Sequence, residues 1–372
     1  MKQKKALRVI IAGGGTGGHV FPAIAIARAL QKKASDARIL FVGAKGRMEM
    51  TKVPQAGYHI IGLNIAGLQR RLSWQNLSLP WKLIQSLAGA ATIIKRFKPD
   101  LVIGVGGYAS GPVVWAAHRQ KIPVLIQEQN SFPGLTNRML GKKAAKICVA
   151  YEGMDQYFSK EKLYITGNPV REEMLMLDGK STEAMNHFRL KAGRPVLLVT
   201  GGSLGALTIN ESMALHLEEL LNKGVQVIWQ TGKSYYARAQ ELKKALKADE
   251  SLIVNEFILR MDLAYAAADL VVSRAGAIAI AEICISGKPA ILIPSPFVAE
   301  DHQTKNALAL VNHQAAVMLK DAEAREKLGQ TITGLIFDED KKQKMKVKLA
   351  GMAHRNAADA IAGVAISMLP DK

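Results

Sequence analysis

This 372-residue sequence predicts an α/β fold of two doubly wound domains, and three observations predict it. Short, wholly apolar runs alternate with helical stretches, as buried parallel strands do. A strand that runs into a glycine turn and then a helix opens the chain, and the same pattern restarts past its middle. Between the two openings, Gly167-Asn168-Pro169 breaks any continuing element.

The first strand is Arg8-Val9-Ile10-Ile11-Ala12, which ends in Gly13-Gly14-Gly15-Thr16-Gly17-Gly18. Pro22 suits the first turn of the helix that follows, whose apolar face carries Ile24, Ala27 and Leu30. Ile39 to Val42, Leu101 to Val105 and Pro123 to Ile126 read as further strands of the first domain. The second domain opens with Val196 to Thr200 and the turn Gly201-Gly202-Ser203-Leu204-Gly205. Its other strands are Val225 to Gln230, Leu270 to Ser273 and Ala290 to Pro294. Leu349, Met352, Ile361, Val364 and Met368 fit one stripe of a long final helix. The boundaries that follow are 1–166, 167–342 and a terminal helix in 343–372. Ligands of doubly wound sheets bind beyond the carboxyl ends of the strands, so two such domains facing one another place the active site in the cleft between them.

Charge is the most informative bulk property. Lys and Arg outnumber Asp and Glu by 50 − 31 = +19, and residues 1–166 carry 25 basic against 7 acidic residues, a net of +18. One half therefore faces something anionic: nucleic acid, anionic lipid or a phosphorylated substrate. The two cysteines, Cys148 and Cys284, lie far apart in apolar surroundings and read as reduced, buried side chains. Lys2, Lys4 and Lys5 precede an apolar stretch too short for a signal core, and no run is long enough to span a bilayer. The chain reads as soluble, or as resting on a membrane surface.

A glycine turn at a helix start presents backbone N–H groups and a positive helix end to a phosphate. Two common phosphate chemistries do not fit. A dinucleotide fold needs an acid at the end of the second strand, and here that strand ends Val42-Gly43-Ala44-Lys45. Gly232-Lys233-Ser234 lacks the earlier glycine of a P-loop, whose place is held by Val227.

Seven stretches resemble one family, in that family's order and over nearly the whole chain. They are Gly13 to His19, Gly106 to Pro112, Glu128-Gln129-Asn130, Gly167 to Arg171, Gly201 to Ala206, Ser273 to Ala277 with Glu282, and Asp301 to Ala307. The sequence thus looks like a member of the MurG family of N-acetylglucosaminyltransferases. The resemblance implies the GT-B architecture: two Rossmann-like domains facing across a cleft, with the last helix crossing back to the first. It implies transfer of N-acetylglucosamine, with inversion, from UDP-N-acetylglucosamine to the 4-hydroxyl of the N-acetylmuramic acid of lipid I. The products would be lipid II and UDP, made for peptidoglycan on the cytoplasmic face of the inner membrane.

By the same resemblance His19 is the general base, with Glu128 behind it. Donor binding falls to Thr16, Gly17, Gly18, Asn130, Arg171, Ser203, Ile258, Glu282, His302 and Gln303. Ile258 would read the uracil edge through its backbone, Glu282 would accept from the ribose hydroxyls, and Ser203 would hold the diphosphate. His302 and Gln303 would contact the sugar. Gly14, Gly15 and Tyr108 belong to the acceptor side, which Thr16, His19 and Asn130 also line. Gln127, Leu204, Ala275 and Ala279 depart from the residues the family commonly has there.

Leu68 to Ile84 sets Trp74, Leu77, Trp81 and Ile84 beside Arg70, Arg71 and Lys82, a composition suited to an anionic membrane surface. Asp338-Glu339-Asp340 has the D-x-D spacing of metal–nucleotide sites but reads as a solvated loop. The expectation is no bound metal and no required cofactor, with magnesium at most an electrostatic stimulant. Expected partners are UDP-N-acetylglucosamine, lipid I and the membrane surface, and no nucleic acid. The alternatives are a GT-B transferase with another lipid acceptor, a UDP-N-acetylglucosamine epimerase and a basic nucleic-acid-binding protein.

Overall fold

The computed structural model describes residues 6–65, 79–202 and 204–370. Two compact units emerge: Met1–Val170 together with Asn356–Lys372, and Arg171–Arg355.

The strands of the first unit are β1 (Arg8–Ala12), β2 (Arg38–Ala44), β3 (His59–Leu63), β4 (Leu101–Gly104), β5 (Val124–Glu128), β6 (Lys146–Val149) and β7 (Leu163–Ile165). They form one parallel sheet in the order β3-β2-β1-β4-β5-β6-β7. Its helices α1 (Gly17–Lys33), α2 (Glu49–Gln55), α3 (Leu79–Phe97), α4 (Ser110–Arg119) and α5 (Leu135–Gly141) connect the strands. The order reverses between β1 and β4, where Ala12 pairs with Val42 on one side and Gly104 on the other. That switch point is where such sheets open a crevice for ligands. Ile24, Ala27 and Leu30 are buried on α1 as their spacing predicts, but the helix already begins at Gly17. Pro22 therefore sits in the second turn rather than the first.

The second unit carries β8 (Val196–Thr200), β9 (Gln226–Gln230), β10 (Leu252–Asn255), β11 (Leu270–Ser273), β12 (Ala290–Leu292) and β13 (Val317–Met318), all parallel, in the order β10-β9-β8-β11-β12-β13. Its helices are α6 (Ser181–Phe188), α7 (Leu207–Asn222), α8 (Lys233–Ala245), α9 (Met261–Ala267), α10 (Ala277–Ser286), α11 (His302–Val311), α12 (Asp321–Ile336) and α13 (Glu339–Gly351). The switch point, between β8 and β11, repeats that of the first unit. Trp229 is fully buried on β9 and donates its indole N–H to Asn210 Oδ1 at 3.0 Å. Truncating such a side chain to alanine costs about 3–5 kcal/mol.

The single final helix does not form. Residues 343–372 fall instead into α13, which belongs to the second unit, and α14 (Ala357–Ile366), which belongs to the first. Met345 packs in the second core, while Ile361, Val364 and Met368 pack in the first beside α1 residues. The division between units falls after Val170, four residues past 166. Asp338 does not lie in a solvated loop: it caps α13, its carboxylate accepting from the Lys341 N–H at 3.0 Å. Among the described residues no helix is long and apolar enough to cross a membrane.

Candidate active site

In the first unit the glycine turn after β1 is held from inside. Gly13 N–H donates to the Val42 carbonyl at 3.1 Å and Gly14 N–H to the Gly106 carbonyl at 3.4 Å. Gly15 N–H donates to Glu49 Oε2 at 2.9 Å, and the other oxygen of that carboxylate accepts from Ala44 N–H, also at 2.9 Å. Glu49 is 1% exposed. Gly14 and Gly15 therefore contribute shape rather than donors to a ligand. Thr16, Gly17 and Gly18 stand at the start of α1, where a helix leaves its N–H groups without intrahelical partners.

Thr16 Oγ1 lies 3.2 Å from His19 Nδ1. The tautomer that donates from Nδ1 to this hydroxyl leaves Nε2 as a base. Gly106 forms the floor beneath that nitrogen. A Cβ at Gly106 would stand 2.8 Å from His19 Nε2 and 3.6 Å from Gln129 Oε1, so the missing methyl leaves a notch between the two atoms. Gln129 is buried, and its Oε1 has no hydrogen-bond partner among the described residues. Its Nε2 donates to the Val105 carbonyl at 2.7 Å and to Gln127 Oε1. Gln127 Nε2 in turn donates to Asn168 Oδ1 at 3.1 Å, and Asn168 Nδ2 to the Gln129 carbonyl at 2.8 Å. Gln127 thus closes a ring of amide hydrogen bonds. Tyr108 is exposed on the turn after β4.

Glu128 is not placed to move a proton. Its Oε1 accepts from Asn130 N–H at 2.9 Å and Asn130 Nδ2 at 3.1 Å; its Oε2 accepts from Gly134 N–H at 3.1 Å and Asn137 Nδ2 at 2.9 Å. Four donors saturate the lone pairs of a carboxylate. Burial raises its pKa, and those hydrogen bonds pull it back. Its role is to shape the 128–137 loop and to fix Asn130.

In the second unit Arg171 and Glu282 come together. Arg171 Nη2 lies 2.9 Å and Nε 3.3 Å from Glu282 Oε1, so both bonds fall on one oxygen and Oε2 is left for a ligand hydroxyl. Burial lifts the Glu282 carboxyl above its ordinary range and Arg171 partly offsets this. Gln230 braces the turn after β8. Its Nε2 donates to Thr200 Oγ1 at 3.2 Å and to the Gly202 carbonyl at 3.0 Å, while its Oε1 accepts from Ile258 N–H at 2.8 Å. The Ile258 N–H is thereby taken up within the protein. Ser203 lies outside the described residues.

His302 and Gln303 open α11, and Gln303 Oε1 accepts from Ser295 N–H at 2.8 Å, leaving its Nε2 as the donor. Glu300 and Asp301, just before them, hold left-handed φ values of 55° and 51°. Such conformations cost a non-glycine residue about 1–2 kcal/mol each. A hydrogen bond from Thr304 to Asp301 Oδ1 at 2.7 Å offsets part of this. Ala275 is fully buried, so its methyl packs where a hydroxyl would need a partner, whereas Leu204 is exposed.

Glu49 and Gln230 were not legible as site residues, and Gln129, although within the Glu128-Gln129-Asn130 stretch, was given no role. For Glu49 a signal exists: it is one of only seven acids in residues 1–166, just beyond a glycine turn. The buried Gln230 carries no comparable mark.

On α3, Trp81 is 64% and Ile84 57% exposed, with Leu83 beside them. Trp115 on α4 carries the Arg119 guanidinium over its ring at 5.5 Å. Trp74 and Leu77 lie outside the described residues.

Two parallel sheets of one strand order, each with a braced glycine turn at its switch point, define a protein of two Rossmann-like domains. Residues 9–149 match the glycosyltransferase family 28 N-terminal domain, and residues 196–361 the family 28 C-terminal domain. A Parabacteroides distasonis protein is 50% identical over 367 residues, 98% of this chain and 99% of its own length. It is named UDP-N-acetylglucosamine--N-acetylmuramyl-(pentapeptide) pyrophosphoryl-undecaprenol N-acetylglucosamine transferase. A Cytophaga hutchinsonii protein of the same name is 51% identical over 97% of this chain and 96% of its own. The crystal structure of Acinetobacter baumannii MurG is 29% identical, with a TM-score of 0.77 over 97% of this chain and all of that one. The chain belongs to glycosyltransferase family 28 and, within it, to the MurG transferases.

Proposed function

We infer that this enzyme transfers N-acetylglucosamine from UDP-N-acetylglucosamine to lipid I, giving lipid II and UDP in peptidoglycan synthesis. The observation that carries this reading is half identity to the named transferases over nearly the full length of both chains.

The roles proposed for the residues are those the family resemblance implies, and the geometry described above supports them. His19 Nε2 takes the proton of the acceptor 4-hydroxyl as its oxygen attacks the anomeric carbon. The bond to the UDP oxygen breaks, and the configuration inverts. Thr16 holds the imidazole through Nδ1, and Glu128 fixes Asn130 beside the reacting hydroxyl. In the second unit Glu282 Oε2 accepts from the ribose, the Ile258 carbonyl accepts from uracil N3–H, and the turn after β8 receives the diphosphate. Gln303 Nε2 and His302 meet the sugar hydroxyls. A buried polar group left unpaired by the wrong sugar supplies the discrimination. No metal is assigned to the reaction; magnesium acts as a counterion to UDP.

The enzyme works at the cytoplasmic face of the membrane as a peripheral protein. Exposed Trp81, Leu83 and Ile84, in a half with a net charge of +18, support this reading. The test is UDP release from UDP-N-acetylglucosamine with and without a lipid I analogue in detergent. Acceptor-dependent release with a disaccharide product is the expected result. Acceptor-independent formation of an epimeric sugar nucleotide, or turnover with other lipids alone, would overturn the reading.

A further inference from the structure

The Glu49 carboxylate is buried, and among the described residues its hydrogen-bond partners are two backbone N–H groups. One of them belongs to the end of β2 and the other to the catalytic turn, so the side chain ties the two together across the sheet edge. Space is kept for it on both sides. A Cβ at Gly14 would stand 2.3 Å from the Glu49 carboxyl, and one at Gly43 2.5 Å from its Cγ. The Gly15 peptide that it fixes leads directly to Thr16. Thr16 accepts the His19 and Val20 N–H groups at 3.1 Å each through its carbonyl and meets His19 Nδ1 through its hydroxyl.

We propose that Glu49 is a positioning residue for the transfer reaction, locking the Gly13–Thr16 turn so that Thr16 presents His19 Nε2 to the acceptor hydroxyl. Glu49 touches no reacting atom and acts only through the Gly15 peptide. The inference rests on the assigned reaction and on His19 as its base. A glutamine is a poor replacement. It offers one acceptor oxygen to two N–H donors and turns its own NH2 towards one of them.

Gly43 provides a second way to disturb Glu49 without touching the turn. The experiment uses the full chain, a lipid I analogue and separate titration of UDP. Glu49→Gln is expected to lower kcat about 10- to 100-fold, the loss of one charge-assisted hydrogen bond, with UDP affinity within twofold of the parent. Gly43→Ala, which pushes on the same side chain, is expected to lower kcat alike. In the double variant Gly43→Ala/Glu49→Ala the alanine at 43 adds little further loss, because its closest contact is gone and the one that remains, Ile60 Cδ1 at 3.1 Å, is the end of a flexible side chain. Glu49→Gln with parental kcat would overturn the inference. So would additive losses in the double variant, or a kcat loss matched by an equal loss of UDP affinity and of Tm. Absence of acceptor-dependent turnover in the parent enzyme would instead sink the functional reading itself.

Discussion

Replacing Arg171 by methionine tests the donor side most sharply. The Glu282 side chain is 9% exposed and that of Arg171 26%. Removing one partner of a buried pair costs about 3–5 kcal/mol, and the partial exposure of the arginine puts this one nearer about 2–3 kcal/mol. The stranded carboxyl escapes part of that cost by holding its proton. Burial already lifts its pKa, and without the guanidinium nothing offsets that shift. A neutral acid accepts a ribose hydroxyl less strongly than a carboxylate, so UDP affinity at neutral pH is expected to fall about 10- to 100-fold. Calorimetric titration of UDP across pH then gives a signature. Affinity of the variant recovers as pH rises and Glu282 ionises, whereas the parent completes the same change at lower pH because Arg171 offsets part of the shift. Stability moves the opposite way. A folded-state pKa raised above the unfolded value means the folded chain holds the extra proton. The variant therefore loses stability as pH climbs from the unfolded carboxyl value of about 4.3 through the folded one. A pH-independent UDP affinity within twofold of the parent, with an unchanged Tm profile, would refute the assignment.

Three further outcomes are expected. Gln230→Glu keeps the acceptor for Ile258 N–H but loses both donors to the turn after β8; UDP should bind at least about 10-fold more weakly while uridine binding changes little, measured by competition. Gly106→Ala fills the notch beneath His19 Nε2 at a φ of +92°; kcat should drop about 100-fold or more with UDP affinity intact, since misplacing a base by an ångström costs that much. Trp81→Ser combined with Ile84→Ser should weaken co-sedimentation with anionic phospholipid vesicles several-fold without altering UDP binding, and unchanged sedimentation would remove α3 from the membrane surface.

Both sheets could be anticipated because their central strands are continuous apolar runs followed by glycine. β1, β8 and β11 fall where the residues place them. β3 was missed because His59 and Gly62 interrupt its apolar residues. The terminal helix was read as one stripe because Leu349 and Ile361 are both apolar at helical spacing. They lie on separate helices of different units, and that depends on tertiary packing rather than on period. The site divides along a similar line. Residues proposed to meet a ligand, such as His19 and Glu282, sit in recognisable motifs. Those that hold the backbone in place, such as Glu49 and Gln230, come from distant elements, and the topology alone brings them in.

The two units share a strand order but brace their glycine turns with groups of different charge. In the first, Glu49 takes the Gly15 N–H; in the second, Gln230 takes up the turn through a neutral amide. The difference bears on which turn is the better proposed seat for a nucleotide diphosphate. A carboxylate a few ångströms below a turn opposes a bound phosphate by about 3 kcal/mol at an effective dielectric of 20 and 5 Å. That is enough to cancel the attraction of a helix N-terminus, which is worth about 0.3–1 kcal/mol at the surface. A neutral amide leaves the field of the second turn intact and removes only one N–H, that of Ile258, from the base edge. The first unit is therefore suited to a sugar hydroxyl beside His19, with anions confined to the Thr16–Gly18 amides further along α1. The second is suited to UDP. On this physics, what lies beneath the glycines favours the second unit for the proposed donor and the first for the proposed acceptor.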